Sequence, residues 1–311
     1  TQDFEQNPYW VTNRIRSKDS RTRTILSLNA ELKVTDWFKI QARGSLDYLS
    51  DKVRQMFYAS TAPALSGQNG RYIEADYQET LLYGDIIGSF EKKFGQFSLN
   101  GVIGGSINDK LVNSLRYDSK TASLKYANVF NVANIIMDGS AYIDQQIDAH
   151  RQLQSLFATA QVGYKDIFFL DLTARNDWSS TLASGNNSYF YPSVGVSFLL
   201  DEALGFRERA PWVDMLKLRG SWANVGNDTD PYQLTAIYSN SDFQGGYRLS
   251  SAIQNYNIKP ENIESWETGI EARLFGGCIG LDVAYYDSTT TDQIITVPAD
   301  WATGAASKLI N

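Results

Sequence analysis

Apolar and polar residues alternate with a period of two in ten short stretches of this chain, and the gaps between those stretches alternate short and long. Period-two alternation places one set of side chains on each face of a β-strand. Short turns at one end of the strands and long loops at the other are the signature of an outer-membrane β-barrel. Residues 24–34 are the plainest case. Thr24, Leu26, Leu28, Ala30, Leu32 and Val34 share one face, and Ser27, Asn29, Glu31 and Lys33 share the other. Thr35 and Asp36 turn the chain, and Phe38, Ile40, Ala42, Leu46 and Tyr48 return against Lys39, Gln41, Arg43, Ser45 and Asp47. In a soluble sandwich the apolar face would be buried, and in a barrel it would meet lipid. Periodicity alone does not separate the two.

The pattern repeats along the chain. Strands are expected over 79–91 and 97–106, with a short turn at 92–96 between them. Others are expected over 155–162 and 168–175, joined at Lys165 and Asp166, and over 189–198 and 216–222. The last pair, 266–274 and 279–288, turns at Gly276 and Gly277. Long irregular segments are expected at 50–78, 108–151 and 224–264, with a shorter one at 176–188. Inside a compact soluble domain such loops count against the strand assignment, whereas at the outer end of a barrel they are ordinary. Pro192 reads as a strand start or a local irregularity, and 201–215 has room for a helical turn. The polar faces carry Lys39, Arg43, Asp85, Asp171, Arg175, Arg219, Glu267, Glu271 and Arg273.

Composition removes several function classes. A net charge of −7 without a basic stripe argues against a nucleic-acid partner. The single cysteine, Cys278, excludes an intramolecular disulfide framework and a thiolate metal cluster. The single histidine, His150, excludes a multi-histidine zinc site, and no cofactor or metal is expected. No apolar run reaches the length of a membrane helix, as expected if strands do the crossing. No G-x-S-x-G, H-E-x-x-H or P-loop is present. Glu267 and Glu271 lie four apart on one strand face, about 13 Å, too far for either glycosidase geometry. Asn227-Asp-Thr-Asp230 offers oxygen ligands but lacks EF-hand spacing, so an Asx-rich turn before Pro231 is the expectation. His150 reads as a surface or loop residue, in or beside a long loop, and Cys278 as an inert thiol at a turn. The chain is therefore expected not to be an enzyme.

Several segments carry a family resemblance. Arg175-Asn-Asp-Trp-Ser-Ser-Thr-Leu182 with Tyr189-Phe-Tyr-Pro-Ser-Val194 resembles the barrel of SusC/RagA-like TonB-dependent outer-membrane transporters. So do Leu216-Lys-Leu-Arg-Gly-Ser-Trp222 with Val225-Gly-Asn-Asp-Thr-Asp-Pro-Tyr232, and Pro260-Glu-Asn-Ile-Glu-Ser-Trp-Glu-Thr-Gly-Ile270. Asp282-Val-Ala-Tyr-Tyr-Asp-Ser288, Asp292-Gln-Ile294 and the opening Asn7-Pro-Tyr-Trp10 follow the same pattern.

The resemblance implies an all-β fold, an antiparallel transmembrane β-barrel segment of about ten strands from a barrel of roughly 22 strands with a plugged lumen. Residues 1–311 would be one partial barrel domain, with the plug and the remaining strands outside it. The function implied is import of oligosaccharides or peptides across the cell outer membrane of a Gram-negative, Bacteroidota-type bacterium. Its partners would be a SusD-like surface lipoprotein, the TonB complex through N-terminal parts outside this chain, outer-membrane lipid and the solute. With both barrel edges unpaired, the segment is not expected to fold alone. The alternatives are a soluble carbohydrate-binding β-sandwich and a membrane-barrel enzyme. Candidate substrate-binding residues are Arg175, Asp177 and Trp178, with Tyr117, Tyr126, Tyr238 and Tyr247 in the long loops. Aromatic faces can stack on sugars or peptides, and the plainer role for each is in a girdle or in loop packing.

Overall fold

A computed structural model describes residues 6–137, 141–235, 238–240, 247–249 and 251–311. Eight long strands follow a short helix, α1 (Pro8–Arg14): β1 (Ile15–Lys33), β2 (Phe38–Phe57), β3 (Arg71–Phe94), β4 (Phe97–Asp118), β5 (Tyr142–Tyr164), β6 (Phe168–Ser179), β7 (Ser188–Leu199) and β8 (Val213–Asn227). Two helical turns, α2 (Leu200–Leu204) and α3 (Phe206–Arg209), occupy the 200–212 connection, where the sequence left room for one. Three short strands follow, β9 (Tyr238–Asn240), β10 (Tyr247–Leu249) and β11 (Ala252–Ile253). Then come β12 (Glu261–Leu274), β13 (Ile279–Thr291), β14 (Ile295–Pro298) and β15 (Ser307–Ile310).

The main sheet has ten strands, each hydrogen-bonded antiparallel to its neighbours, in the order β1 to β8, β12, β13. It is open, with β1 at one edge and β13 at the other. The short connections are 34–37, 95–96, 165–167, 200–212 and 275–278, and all lie at one end. Tight turning there uses left-handed backbone at Lys165 (φ 55°) and Asp166 (φ 57°), and at Gly276 (φ 66°) and Gly277 (φ 79°). The long connections lie at the other end.

The strands run far past the apolar alternation. β3 has 24 residues, which is about 80 Å of extended chain and ~60 Å of height at a tilt near 40°, over twice the ~25 Å apolar band of a membrane barrel. The segment expected as loop over 50–78 is therefore mostly strand, with 58–70 left as the connection. The 108–151 segment shrinks to 119–141 in the same way. His150, expected in or beside a long loop, lies on β5 opposite Leu111, with Nε2 2.8 Å from Asp109 Oδ2. Beyond the lipid both strand faces meet water and the period-two signal fades, while the backbone ladder continues. Cross-strand ion pairs such as Arg21–Asp51 and Arg23–Asp47 line these extensions.

Pro192 lies inside β7 rather than at its start. Its partner on β6 is Ala174, and pairing of β7 with β8 begins one residue later at Ser193–Ala223, so the missing N–H breaks no rung there. The end of the chain forms the β14–β15 hairpin, joined by β11 in a three-stranded sheet.

Among the described residues nothing packs on the apolar face. Leu28 is 82% exposed, Ile86 64% and Phe190 59%, along a continuous surface far larger than soluble proteins leave bare. A soluble sandwich would cover this face with a second sheet. Aromatic rings border it at both ends. Near the short turns are Phe97 and Tyr164, 4.9 Å apart, and Trp212 stacked on Phe275 at 5.8 Å. Toward the long loops are Trp178, Phe190, Trp222, and Trp266 with Tyr285 at 5.3 Å. Trp178 is ten residues above Phe168 on β6, about 33 Å of strand and so ~25 Å of tilted height, matching a lipid-facing band between two girdles.

A small apolar core lies outside the bilayer. Tyr72, Leu124 and Ile135 are buried together, flanked by Met56, Tyr117, Phe130, Val132 and Ala141. It docks the 119–137 segment against the tips of β2 to β4. Asn69 locks the joint, donating its backbone N–H to the Ser123 hydroxyl oxygen (2.8 Å) and its side-chain amide to the Leu124 carbonyl (2.8 Å).

Candidate functional site

The opposite face of the sheet is polar, and its side chains form four networks whose members the register brings level. On β2 and β3, Arg43 sits opposite Asp85 and grips it with Nε at 3.0 Å and Nη2 at 2.5 Å. The Tyr83 hydroxyl donates to the same carboxylate at 2.6 Å. On β5 to β7, Ser155 pairs with Asp177 and Arg175 with Tyr191. Arg175 donates to Asp177 (2.8 Å) and to the Ser155 hydroxyl (2.9 Å), and the Tyr191 hydroxyl donates to Asp177.

A third network sits higher. Asp228, at the start of the longest connection, takes two hydrogen bonds from Arg151 on β5 and one each from the hydroxyls of Ser179 and Thr181. The fourth is Arg219 on β8, between Glu267 on β12 (3.4 Å) and Asp282 on β13 (2.9 Å).

The first three networks share a layout. The carboxylates are buried, with side-chain exposures of 0% for Asp85, 4% for Asp177 and 3% for Asp228. Their arginines stay 45%, 38% and 37% exposed. Guanidinium groups therefore form the outer layer of the wall, each held flat by an acid behind it. Such a surface offers N–H and O–H donors to a passing solute's oxygens.

Further out, Asp118 ties the β4 tip to β3. Burial raises its pKa, but hydrogen bonds from Arg71, the Lys120 N–H and Arg116 more than offset this and hold it below the usual carboxylate range. Burial, aided by the hydrogen bond to Glu74, pushes the Tyr72 hydroxyl up to about 12.

The residues singled out from sequence fall in several places. Arg175 and Asp177 are bonded to each other on the polar face. Trp178 points to the opposite, apolar face, paired with Gln154 in the outer aromatic row. Tyr117 packs on the small outer core, and Tyr126 is 71% exposed on the docked segment. Tyr238 and Tyr247 lie on β9 and β10, which pair antiparallel, and their side chains lie outside the described residues. Tyr191 and Ser155 complete the Arg175 network without having been singled out; strand parity put them on its face, but only the register aligns them. Arg151 and Asp228 lie 77 residues apart, and no local signal joins them. Asp228 of the Asn227–Asp230 run is committed to Arg151 and two hydroxyls, while Glu267 and Glu271 bond Arg219 and Arg273.

An apolar outer face, a polar inner face and long connections confined to one end describe the wall of a membrane barrel. The family model for the TonB dependent receptor-like β-barrel matches residues 1–311. The chain belongs to this family. TonB-dependent receptor P26 of Formosa agariphila is 30% identical over 166 residues, covering 51% of this chain and 17% of that protein.

Among solved structures, the RagAB peptide transporter superposes with a TM-score of 0.82 at 19% identity, over 98% of this chain and 34% of that one. The siderophore receptor PiuA from Acinetobacter baumannii gives 0.57 at 13% identity, over 95% and 43%. The fold is thus SusC/RagA-like, and the chain spans about a third of the RagAB chain's length. The open sheet edges agree with that share.

Proposed function

We propose that this chain is part of the barrel of an outer-membrane importer that takes up oligosaccharides or peptides by a TonB-dependent route. In this reading it supplies about ten strands of a barrel of roughly 22 around a plugged lumen. A SusD-like lipoprotein covers the long-loop end, and TonB acts through a plug outside this chain. The lipid face holds the wall in place, and the arginine-fronted face guides solute while changing no covalent bond in it.

The observation that carries the reading is the two-sided sheet, with its unpartnered apolar band between aromatic rows and buried carboxylates presenting arginines on the other face. A flexible solute rich in carbonyl or hydroxyl oxygens fits these donors. The test is uptake by cells carrying the full-length receptor, using fluorescent oligopeptides and oligosaccharides in parallel. Accumulation of either class that stops when the receptor gene is deleted supports import. Unchanged uptake of both on deletion overturns it.

A further inference from the structure

Above the apolar band, the outward face of β1 to β3 changes character rung by rung. Leu26, Leu46 and Leu82 are level, and above them come Thr24, Tyr48 and Thr80, then Thr22, Ser50 and Gln78. The next rungs are Ser20, Lys52 and Asp76, then Lys18, Arg54 and Glu74, then Arg16 beside Met56 and Tyr72. Four cations therefore meet two carboxylates on one small surface of a chain whose net charge is −7.

The pairing within the patch leaves positive charge over. Arg54 is held by Glu74 at 2.9 Å, and Lys52 lies 3.7 Å from Asp76. Lys18 stands directly opposite Arg54, an arrangement of like charges that is unfavourable unless an anion lies between them. Arg16 rests over the Tyr58 ring at 5.9 Å. Neither Arg16 nor Lys18 has a carboxylate partner among the described residues. At the same end of the outward face, β12 and β13 carry Glu264 and Asp287 instead, so the positive excess is local.

We propose that this patch binds the phosphate-bearing headgroup of a lipid in the leaflet on the long-loop side. The order of side chains toward the membrane is cation, hydroxyl, aromatic, aliphatic, which matches an anionic headgroup above its acyl chains. Lys52 is four residues above Tyr48, about 13 Å of strand and ~10 Å of tilted height, and its stem can reach back to the headgroup layer. Clustered cations beside a membrane surface attract anionic lipid, and Arg16 and Lys18 supply charge that no carboxylate among the described residues pairs with. The proposal rests on the barrel reading above.

The test uses the full-length receptor in neutral detergent micelles, titrated with lipid A and with dephosphorylated lipid A, with binding counted by native mass spectrometry. The wild type is expected to hold lipid A, and the combined variant Arg16→Gln, Lys18→Gln, Lys52→Gln to bind it at least about tenfold more weakly. Dephosphorylated lipid A should bind both proteins equally and weakly. Equal affinity of wild type and variant for lipid A overturns the proposal, as does displacement by millimolar inorganic phosphate, which would mark a free-phosphate site. Heat-modifiable electrophoretic mobility, run on both proteins, reports the barrel separately. Its absence in the wild type defeats the barrel reading, while its presence with no phosphate dependence defeats only the patch.

Discussion

At the scale of single residues, buried acids organise the polar face and the outer joint. Asp228→Ala would leave Arg151 and the hydroxyls of Ser179 and Thr181 without their shared acceptor, at a cost of about 1–3 kcal/mol. The expected outcome is faster hydrogen exchange in 224–232 and 179–182, with the Arg43–Asp85 region unchanged. Asp118 supplies a pH dependence. Its folded pKa is depressed from the ordinary 3.8, so its contribution is complete above the unfolded carboxylate value and is lost as pH falls through the folded one. Below about pH 4 the docked 119–137 segment should exchange faster, after correction for intrinsic rates, than at pH 6 to 8. Equal protection at pH 3 and pH 7 would count against the Arg71–Asp118 anchor.

At the scale of elements, the test of facing is a pair of neighbours on β1. Leu28 and Asn29 are adjacent in sequence, but alternation sends them to opposite faces. Leu28→Arg near the middle of the lipid band should cost about 2–4 kcal/mol of folding into bilayers, while Asn29→Arg should cost little. Urea titration of the full-length receptor in lipid vesicles measures both, and equal effects would sink the facing assignment.

Loop docking is as specific. A Cβ on Gly67 would come within 2.8 Å of Ser123 Cα and 2.9 Å of the Thr121 carbonyl oxygen, backbone that cannot step aside. Gly67→Ala should therefore undock the segment by about 1–3 kcal/mol and expose Lys120 and Lys125 to trypsin while the barrel stays intact. Gly67 lies in the 50–78 segment that the sequence leaves as loop. Its contact with Ser123 arises from two connections folding together, which no window of sequence contains.

At the scale of the whole molecule, the two open edges carry the strongest expectation. Among the described residues β1 and β13 each present an unpaired ladder of backbone groups, which neither lipid nor water satisfies as well as a neighbouring strand. Expressed without flanking sequence, residues 1–311 should aggregate or remain detergent-dependent. A soluble monomer that melts cooperatively would contradict both this and the lipid-facing band. The chain's share of its structural relatives, about a third of RagAB by length, points the same way.

The ten strands of the main sheet, their antiparallel order and the identity of each face follow from the sequence, because period-two alternation is a local consequence of the pleat. The turns at Lys165–Asp166 and Gly276–Gly277 were equally plain, since left-handed backbone has its own residue preferences. The true reach of the strands was not, because above the membrane neither face is apolar and alternation carries no signal there. Nor were the partners on the polar face. Strand parity placed Arg175 and Tyr191 on one side, while Asp177 and Trp178, expected in the loop at 176–188, lie on β6, which runs to Ser179; which acid meets which arginine depends on register. The Arg151–Asp228 joint and the Tyr72–Leu124–Ile135 core join segments dozens of residues apart, and only the folded sheet brings them into contact.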